Sequence, residues 1–223
     1  MELTAKAAKV TVALEKTFGV PARDSILDPL SNLMLTVLSQ NTNDKNRDQA
    51  FSSLKKRFPT WDQVMRADVR EIENAIRSGG LAKQKSENIQ NILKWIFQEQ
   101  GSLNLDFLCD ENPDTIIEKY CQLKGIGIKT ITVVLMFSCC IDVFPVDTHV
   151  HRICRRLGFV PDKATAEKTF WLMKPHVPEG KSFSLHMNFL KLGRTICLAR
   201  KPRCEACPIF EYCDFFLAAN DAT

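Results

Sequence analysis

A lysine two residues past a pair of glycines, an aspartate eighteen residues beyond it, and four bunched cysteines are the side chains here best suited to chemistry. The first lies in Leu123-Lys124-Gly125-Ile126-Gly127-Ile128-Lys129-Thr130, the second in Val146-Asp147-Thr148-His149-Val150. A neutral lysine amine is a strong nucleophile, yet the free side chain has a pKa of about 10.4. Burial and the positive end of a helix dipole both lower that value, and Lys129 falls in the first turn of the helical pattern after the glycines. A carboxylate such as Asp147 can accept the amine's proton or face a developing positive charge. Directly before Thr148-His149-Val150 it is also a helix N-cap, worth ~1 kcal/mol. Cap and catalyst are compatible roles.

The cysteines read Cys197-x6-Cys204-x2-Cys207-x5-Cys213. Four thiolates in so short a span can close on one metal centre. Tetrahedral zinc and an iron–sulfur cluster both take four cysteines. Zinc ribbons usually carry two CxxC pairs, whereas only Cys204 and Cys207 form one here. Arg200, Lys201 and Arg203 lie between the first two cysteines, on a loop whose ends a metal centre would fix.

The elements that must position these groups are helical. Apolar residues recur at helical spacing in residues 2–18, from Pro29 to near Gln40, from Asp44 to Arg57, and after Thr60. The same spacing returns at Val69 to Ile76, Ser86 to Gln98, Thr130 to Cys140, Asp147 to Leu157, Ala164 to Met173 and Phe183 to Leu198. Asp28-Pro29 and Asn112-Pro113-Asp114 are helix starts, and Asp44 is expected to cap its helix. Gly79-Gly80 breaks the chain before Leu81, and Val143 to Val146 looks extended. No sustained alternation is present, so the chain is expected to be all-α. The glycines at 125 and 127 permit a tight turn and close approach of another backbone, and the helix start behind them is a ready phosphate site.

The 223 residues suffice for one large or two small domains. A hydrophobic fraction of 45% with 25% charged residues is that of a soluble globular protein, and the net charge of +4 is mildly basic. Met1 runs into a lysine-bearing amphipathic helix with no signal pattern, and the run Ile131 to Ile141 is too short to span a membrane. A soluble, cytoplasmic protein is expected. Cys109, Cys121, Cys139, Cys140 and Cys154 sit in apolar or helical settings and are expected to be free, as small hydrophobes.

The hairpin, Lys129, Asp147, the cysteine spacing and Leu38-Ser39-Gln40-Asn41-Thr42-Asn43-Asp44 together resemble the endonuclease III branch of the helix–hairpin–helix-GPD DNA glycosylases. That resemblance implies two all-α domains with a cleft between them. A six-helix barrel-like domain over 25–138 would end in the hairpin. Residues 1–24 and 139–223 would form a discontinuous cluster domain, its 4Fe–4S loop at 197–213. Lys129 and Asp147 would lie at the mouth of the cleft, supplied from its two sides.

The resemblance also implies a bifunctional DNA glycosylase and AP lyase of base excision repair, excising oxidised pyrimidines of the thymine glycol type. Lys129 would attack the sugar C1′, expel the base and form a Schiff base that permits β-elimination, with Asp147 assisting. Cys197, Cys204, Cys207 and Cys213 would hold a 4Fe–4S cluster. Gln40 would fill the hole left by a flipped base and Leu81 would wedge the opposite strand, with Asn41 beside them. Gly125, Gly127, Ile128, Thr130, His149, Arg200, Lys201 and Arg203 would meet DNA, with Lys83, Lys85, Lys191 and Arg194 adding phosphate contacts. His149 and His151 are otherwise expected to be structural hydrogen-bonders.

The implied partner is damaged or abasic duplex DNA, bound by a monomer, in a nucleoid-associated setting of prokaryotic type with no membrane contact. The rivals are a monofunctional mismatch or adenine-type glycosylase, a non-catalytic damage binder and a redox sensor. Lys129 argues against the first, and Lys129 with Asp147 against the second.

Overall fold

The computed structural model describes residues 2–23 and 26–220, and no strand occurs among them. The chain divides into two units, 1–24 with 142–223 and 25–141. The second boundary thus falls three residues past the expected 138, and the first lies outside the described residues. No helix among the described residues is long and apolar enough to cross a membrane.

In the unit ending at Ile141, α2 (Pro29–Leu38) is apolar almost all round and is accordingly buried on nearly every side. Asp28 caps it, accepting from the Ser31 amide at 2.8 Å, and Pro29 takes the first helical position. Next come α3 (Asp44–Arg57), α4 (Trp61–Arg66), α5 (Val69–Ala75) and α6 (Ala82–Gln100). Asn43, one residue earlier than expected, caps α3 through the Asn46 amide at 2.9 Å. Asp44 stands inside the first turn, where its charge still suits the helix dipole. α7 (Pro113–Tyr120) leads into the glycine hairpin and α8 (Ile128–Phe137) leaves it. α8 packs on α7 and on the central α2, while α4 and α5 cover α6.

Cys109 and Cys139, expected to be free, are joined in a disulfide. It closes a loop of sequence separation 30 that contains α7, the hairpin and α8. Chain-entropy accounting assigns such a closure about 3–4 kcal/mol.

The other unit holds α1 (Leu3–Phe18), α9 (Thr148–Arg156), α10 (Ala166–Met173), α11 (Ser182–Thr195) and α12 (Asp214–Asn220). α11 is its centre, packed on α9 and α1. The buried Lys6 ammonium of α1 reaches the Leu157 carbonyl and the Asp214 carboxylate, the latter at 2.7 Å. Glu15 accepts from Ser184 at 2.6 Å and from Lys181 at 3.1 Å, and those partners hold its carboxyl below the usual range. Two helices thus fasten the N-terminal segment to the C-terminal third.

His151 on α9 bonds the Thr169 hydroxyl of α10 at 2.8 Å, the structural role expected for it. Burial first, then the Arg155 charge, pushes its pKa below 6.5. The unfolded chain therefore binds the proton more readily, and stability falls as pH drops below 6.5 through the folded value. Thermal unfolding should show this as a decline in midpoint from about pH 7 to 5 that is roughly 2 °C smaller in His151→Gln.

Candidate active site and cluster loop

The two glycines of the hairpin do different work. Gly125 has φ +95°, and a Cβ there would stand 2.7 Å from Asn88 Nδ2, so a side chain would be strained in the turn and would displace Asn88. Gly127 is extended at φ −107°, ψ 174°, and a Cβ there would meet nothing within 4 Å. Folding does not require glycine at 127. The open space beside it leaves room for close approach from outside. Gly127 is the N-cap of α8, and no side chain closes that helix end, which keeps its affinity for an anion.

Lys129 lies half-buried in the first turn of α8. Ile128 and Thr130 beside it turn into the core, at 9% and 4% exposure, and the Thr130 amide bonds the Gly127 carbonyl at 2.9 Å. Their side chains do not face outward. Helical spacing with Ile131, Val134 and Leu135 explains this, since all belong to the apolar face of α8.

Two loops flank the hairpin within the same unit. After α2, Gln40 is half-buried and its amide donates to the Gly125 carbonyl at 2.9 Å. Asn41, next in the chain, is exposed and left-handed at φ 52°. Before α6, Leu81 is left-handed at φ 48° and 53% exposed, so it is not a core leucine. Non-glycine residues rarely adopt this region, and such strain concentrates at functional positions. Lys83 is exposed. Lys85, expected to face phosphate, is only 2% exposed and bonds the Leu38 and Gly79 carbonyls at 2.7 Å each. Burial pushes its pKa down.

In the other unit Asp147 is the N-cap of α9 and accepts from the Val150 amide at 2.8 Å. Arg152, one turn on, donates to the Cys197 carbonyl at 2.8 Å, the Gly193 carbonyl at 3.0 Å and His149 Nδ1 at 3.1 Å. Arginine only donates, so a neutral His149 carries its proton on Nε2. Gly193 lets α9 and α11 approach, since a Cβ there would stand 2.8 Å from His149 Nδ1. Lys191 and Arg194 are exposed on α11, with the Lys191 ammonium 4.9 Å from the Phe18 ring centre.

Cys197, Cys204, Cys207 and Cys213 line one cavity with Ile196, Pro202 and three phenylalanines. Burial pushes the Cys207 thiol up to about 11, and it raises Cys204 and Cys213 too, with the neighbouring sulfurs adding to the rise. Four thiolates in so apolar a space require a cationic centre between them. Only Cys204 and Cys207 form a CxxC pair, whereas zinc ribbons usually carry two. Arg156 donates to Cys197 Sγ at 3.1 Å and to the Leu198 and Ala199 carbonyls at 2.8 and 3.2 Å. Arg200, Lys201 and Arg203 stand exposed on this loop, Lys201 left-handed at φ 49°. The Arg203 amide bonds the Ile196 carbonyl at 3.0 Å, which closes the loop base.

Sequence reasoning missed Arg152, Arg156 and Asn88. The i, i+4 spacing of the two arginines on a helix with buried Val150, Ile153 and Cys154 was the available signal.

Residues 34–178 match the model of the HhH-GPD superfamily of base excision DNA repair proteins, and 197–213 match the iron–sulfur binding domain of endonuclease III. A putative DNA glycosylase of Arabidopsis thaliana is 36% identical over 91% of this chain and 71% of its own length. Endonuclease III of Thermotoga maritima is 32% identical over 88% of this chain and 87% of its own. Among solved structures, a non-covalent endonuclease III–DNA complex superposes with TM-score 0.82 at 23% identity, covering 99% of this chain and 100% of that one. A trapped covalent endonuclease III–DNA intermediate gives TM-score 0.81, again at 23% identity, over 99% and 100% of the two chains. The chain carries a 4Fe–4S cluster, and the matched segment 197–213 contains all four of these cysteines.

The division of labour between the glycines gives opposite expectations. Gly125→Ala should lower stability by about 1–3 kcal/mol in chemical denaturation. Gly127→Ala should stay within roughly 0.5 kcal/mol of wild type, yet bind duplex DNA about tenfold more weakly in a titration at fixed salt. Unchanged affinity in folded Gly127→Ala would remove the hairpin from the DNA interface.

Proposed function

From the chain's membership in the HhH-GPD superfamily of base excision DNA repair glycosylases, we propose that it is a bifunctional glycosylase and AP lyase acting on oxidised pyrimidines of the thymine glycol type in duplex DNA. The observation that carries this reading is Lys129 in the first turn of α8, directly behind a hairpin whose outer glycine leaves open space. The amine would reach the sugar while the helix start and Gly127 receive the adjoining phosphate.

The Lys129 amine, once neutral, attacks C1′. The C1′–N glycosidic bond breaks, and the base leaves with the bonding electrons and takes up a proton. Opening of the sugar ring gives an imine between Nζ and C1′. Loss of a C2′ proton then drives cleavage of the C3′–O bond, and the 3′ phosphate departs. Water hydrolyses the imine and returns the lysine. Asp147 accepts the amine's proton or faces the positive charge that develops on the sugar. Its cap on α9 fixes the carboxylate direction.

Asn41 and Leu81, both exposed and left-handed, support entry into the duplex where a base has been extruded. Gln40, half-buried against Gly125, sits at the base of that loop. The 4Fe–4S cluster supplies a rigid core, around which Arg200, Lys201 and Arg203 face phosphate. The monomer would act on damaged or abasic sites in nucleoid DNA of the cytoplasm. That an endonuclease III has been trapped covalently on DNA supports the Schiff-base route.

Borohydride trapping on duplexes carrying thymine glycol or an abasic site tests this directly. Wild type should give a covalent adduct, and Lys129→Ala should lower its yield by at least about 100-fold. Asp147→Asn keeps a good N-cap, so its melting midpoint should hold while base release slows about 100- to 1,000-fold. No adduct from wild type that still binds both duplexes would overturn the lyase assignment.

A further inference from the structure

One lysine ammonium joins the two loops that carry Asn41 and Leu81. Lys85 is 2% exposed, yet its Nζ lies 2.7 Å from the carbonyl oxygens of Leu38 and Gly79. Leu38 ends α2, three residues before Asn41. Gly79 stands two residues before Leu81. Leu38 Oxygen belongs to the negative end of the α2 dipole, where a cation is favoured. The approach is close: a Cβ on Gly79 would stand 3.2 Å from Ala50 Cβ and 4.0 Å from Lys85 Nζ. The same face of α6 presents Asn88, one turn on, against Gly125 of the hairpin. Gln40 completes the set through its bond to the Gly125 carbonyl.

We infer that Lys85 is a positioning residue for duplex entry: its buried ammonium sets the spacing of the Asn41 and Leu81 loops so that both side chains enter the DNA together. The inference rests on the reading of Asn41 and Leu81 given above. Lys85 touches neither DNA nor the reacting atoms. Both strained residues depend on it, because each left-handed position lies within three residues of a carbonyl that the ammonium holds. The two carbonyls that replace the ammonium's hydration come from the end of α2 and from the turn before α6, so satisfying the buried charge also ties those two segments together.

The test uses the full chain and a duplex with a tetrahydrofuran abasic analogue opposite 2-aminopurine, whose fluorescence rises on unstacking. Wild type should raise the signal on binding, and Leu81→Ala should not. Lys85→Met should keep affinity for undamaged duplex within about threefold but lose roughly four-fifths of the fluorescence rise. Schiff-base trapping on an abasic single strand, where no stack needs opening, should stay within about threefold of wild type. If Lys85→Met does not fold, Lys85→Arg carries the test. Its larger head keeps the charge and the carbonyl contacts but forces the loops apart, so the rise should again shrink.

A wild-type fluorescence rise in either folded variant overturns the inference. So does equal loss of affinity, trapping and fluorescence, or failure of both variants to fold, since each assigns Lys85 to general stability. No rise with wild type itself would instead overturn the reading of Asn41 and Leu81.

Discussion

An ammonium group removed from water carries a penalty of several kcal/mol unless other oxygen atoms replace its hydration shell. Burial of Lys85 therefore demands carbonyls, and this chain supplies them from the end of α2 and from the turn before α6. Neither segment can move without uncovering a charge. The arrangement couples α2, the most enclosed helix of its unit, to the first turns of α6, and Asn88 extends the coupling to Gly125. Strain at Asn41 and Leu81 is tolerable because both sit beside these fixed points.

The cluster unit meets the same constraint with guanidinium groups. Arg152 and Arg156 lie on one face of α9 and spend their donors on carbonyls from Gly193 to Ala199 and on Cys197 Sγ. Planar forks with several donors suit a row of carbonyls better than a single ammonium would. The helix capped by Asp147 at one end thus grips the cysteine loop at the other. His149 and Gly193 show how tightly α9 lies on α11.

Much of this was legible. The all-α class, the capped starts at Asp28 and Asn112, and the cysteine spacing follow from local pattern, because caps and helical faces are set by neighbours in sequence. Lys85 was not legible. A lysine at that point of an amphipathic helix reads as solvent-facing, and only carbonyls 47 and 6 residues away make it a buried one. The Cys109–Cys139 bond was hidden for a like reason, since sequence separation 30 says nothing of spatial approach. α6 begins at Ala82, four residues before its apolar register, because left-handed Leu81 starts it where no ordinary cap residue stands. The short α12, whose Phe215, Phe216 and Ala219 line a pocket with residues 202–206 of the cysteine loop, has too few residues to show a period.

The clasp of Lys6 on Asp214 has a consequence for how the chain is made. Residues 25–141 are continuous, so that unit can fold as soon as it leaves the ribosome. The other unit cannot close until Asp214 has emerged, because α1 packs on α11 and is fastened to α12, both nearly a full chain length later. Throughout synthesis α1 waits with Ala7, Val10 and Leu14 uncovered, and these are wholly buried in the finished protein. The hairpin is therefore complete before the four bunched cysteines exist to receive iron, and a chain cut short before its last helix leaves the Lys6 ammonium of its first without its carboxylate.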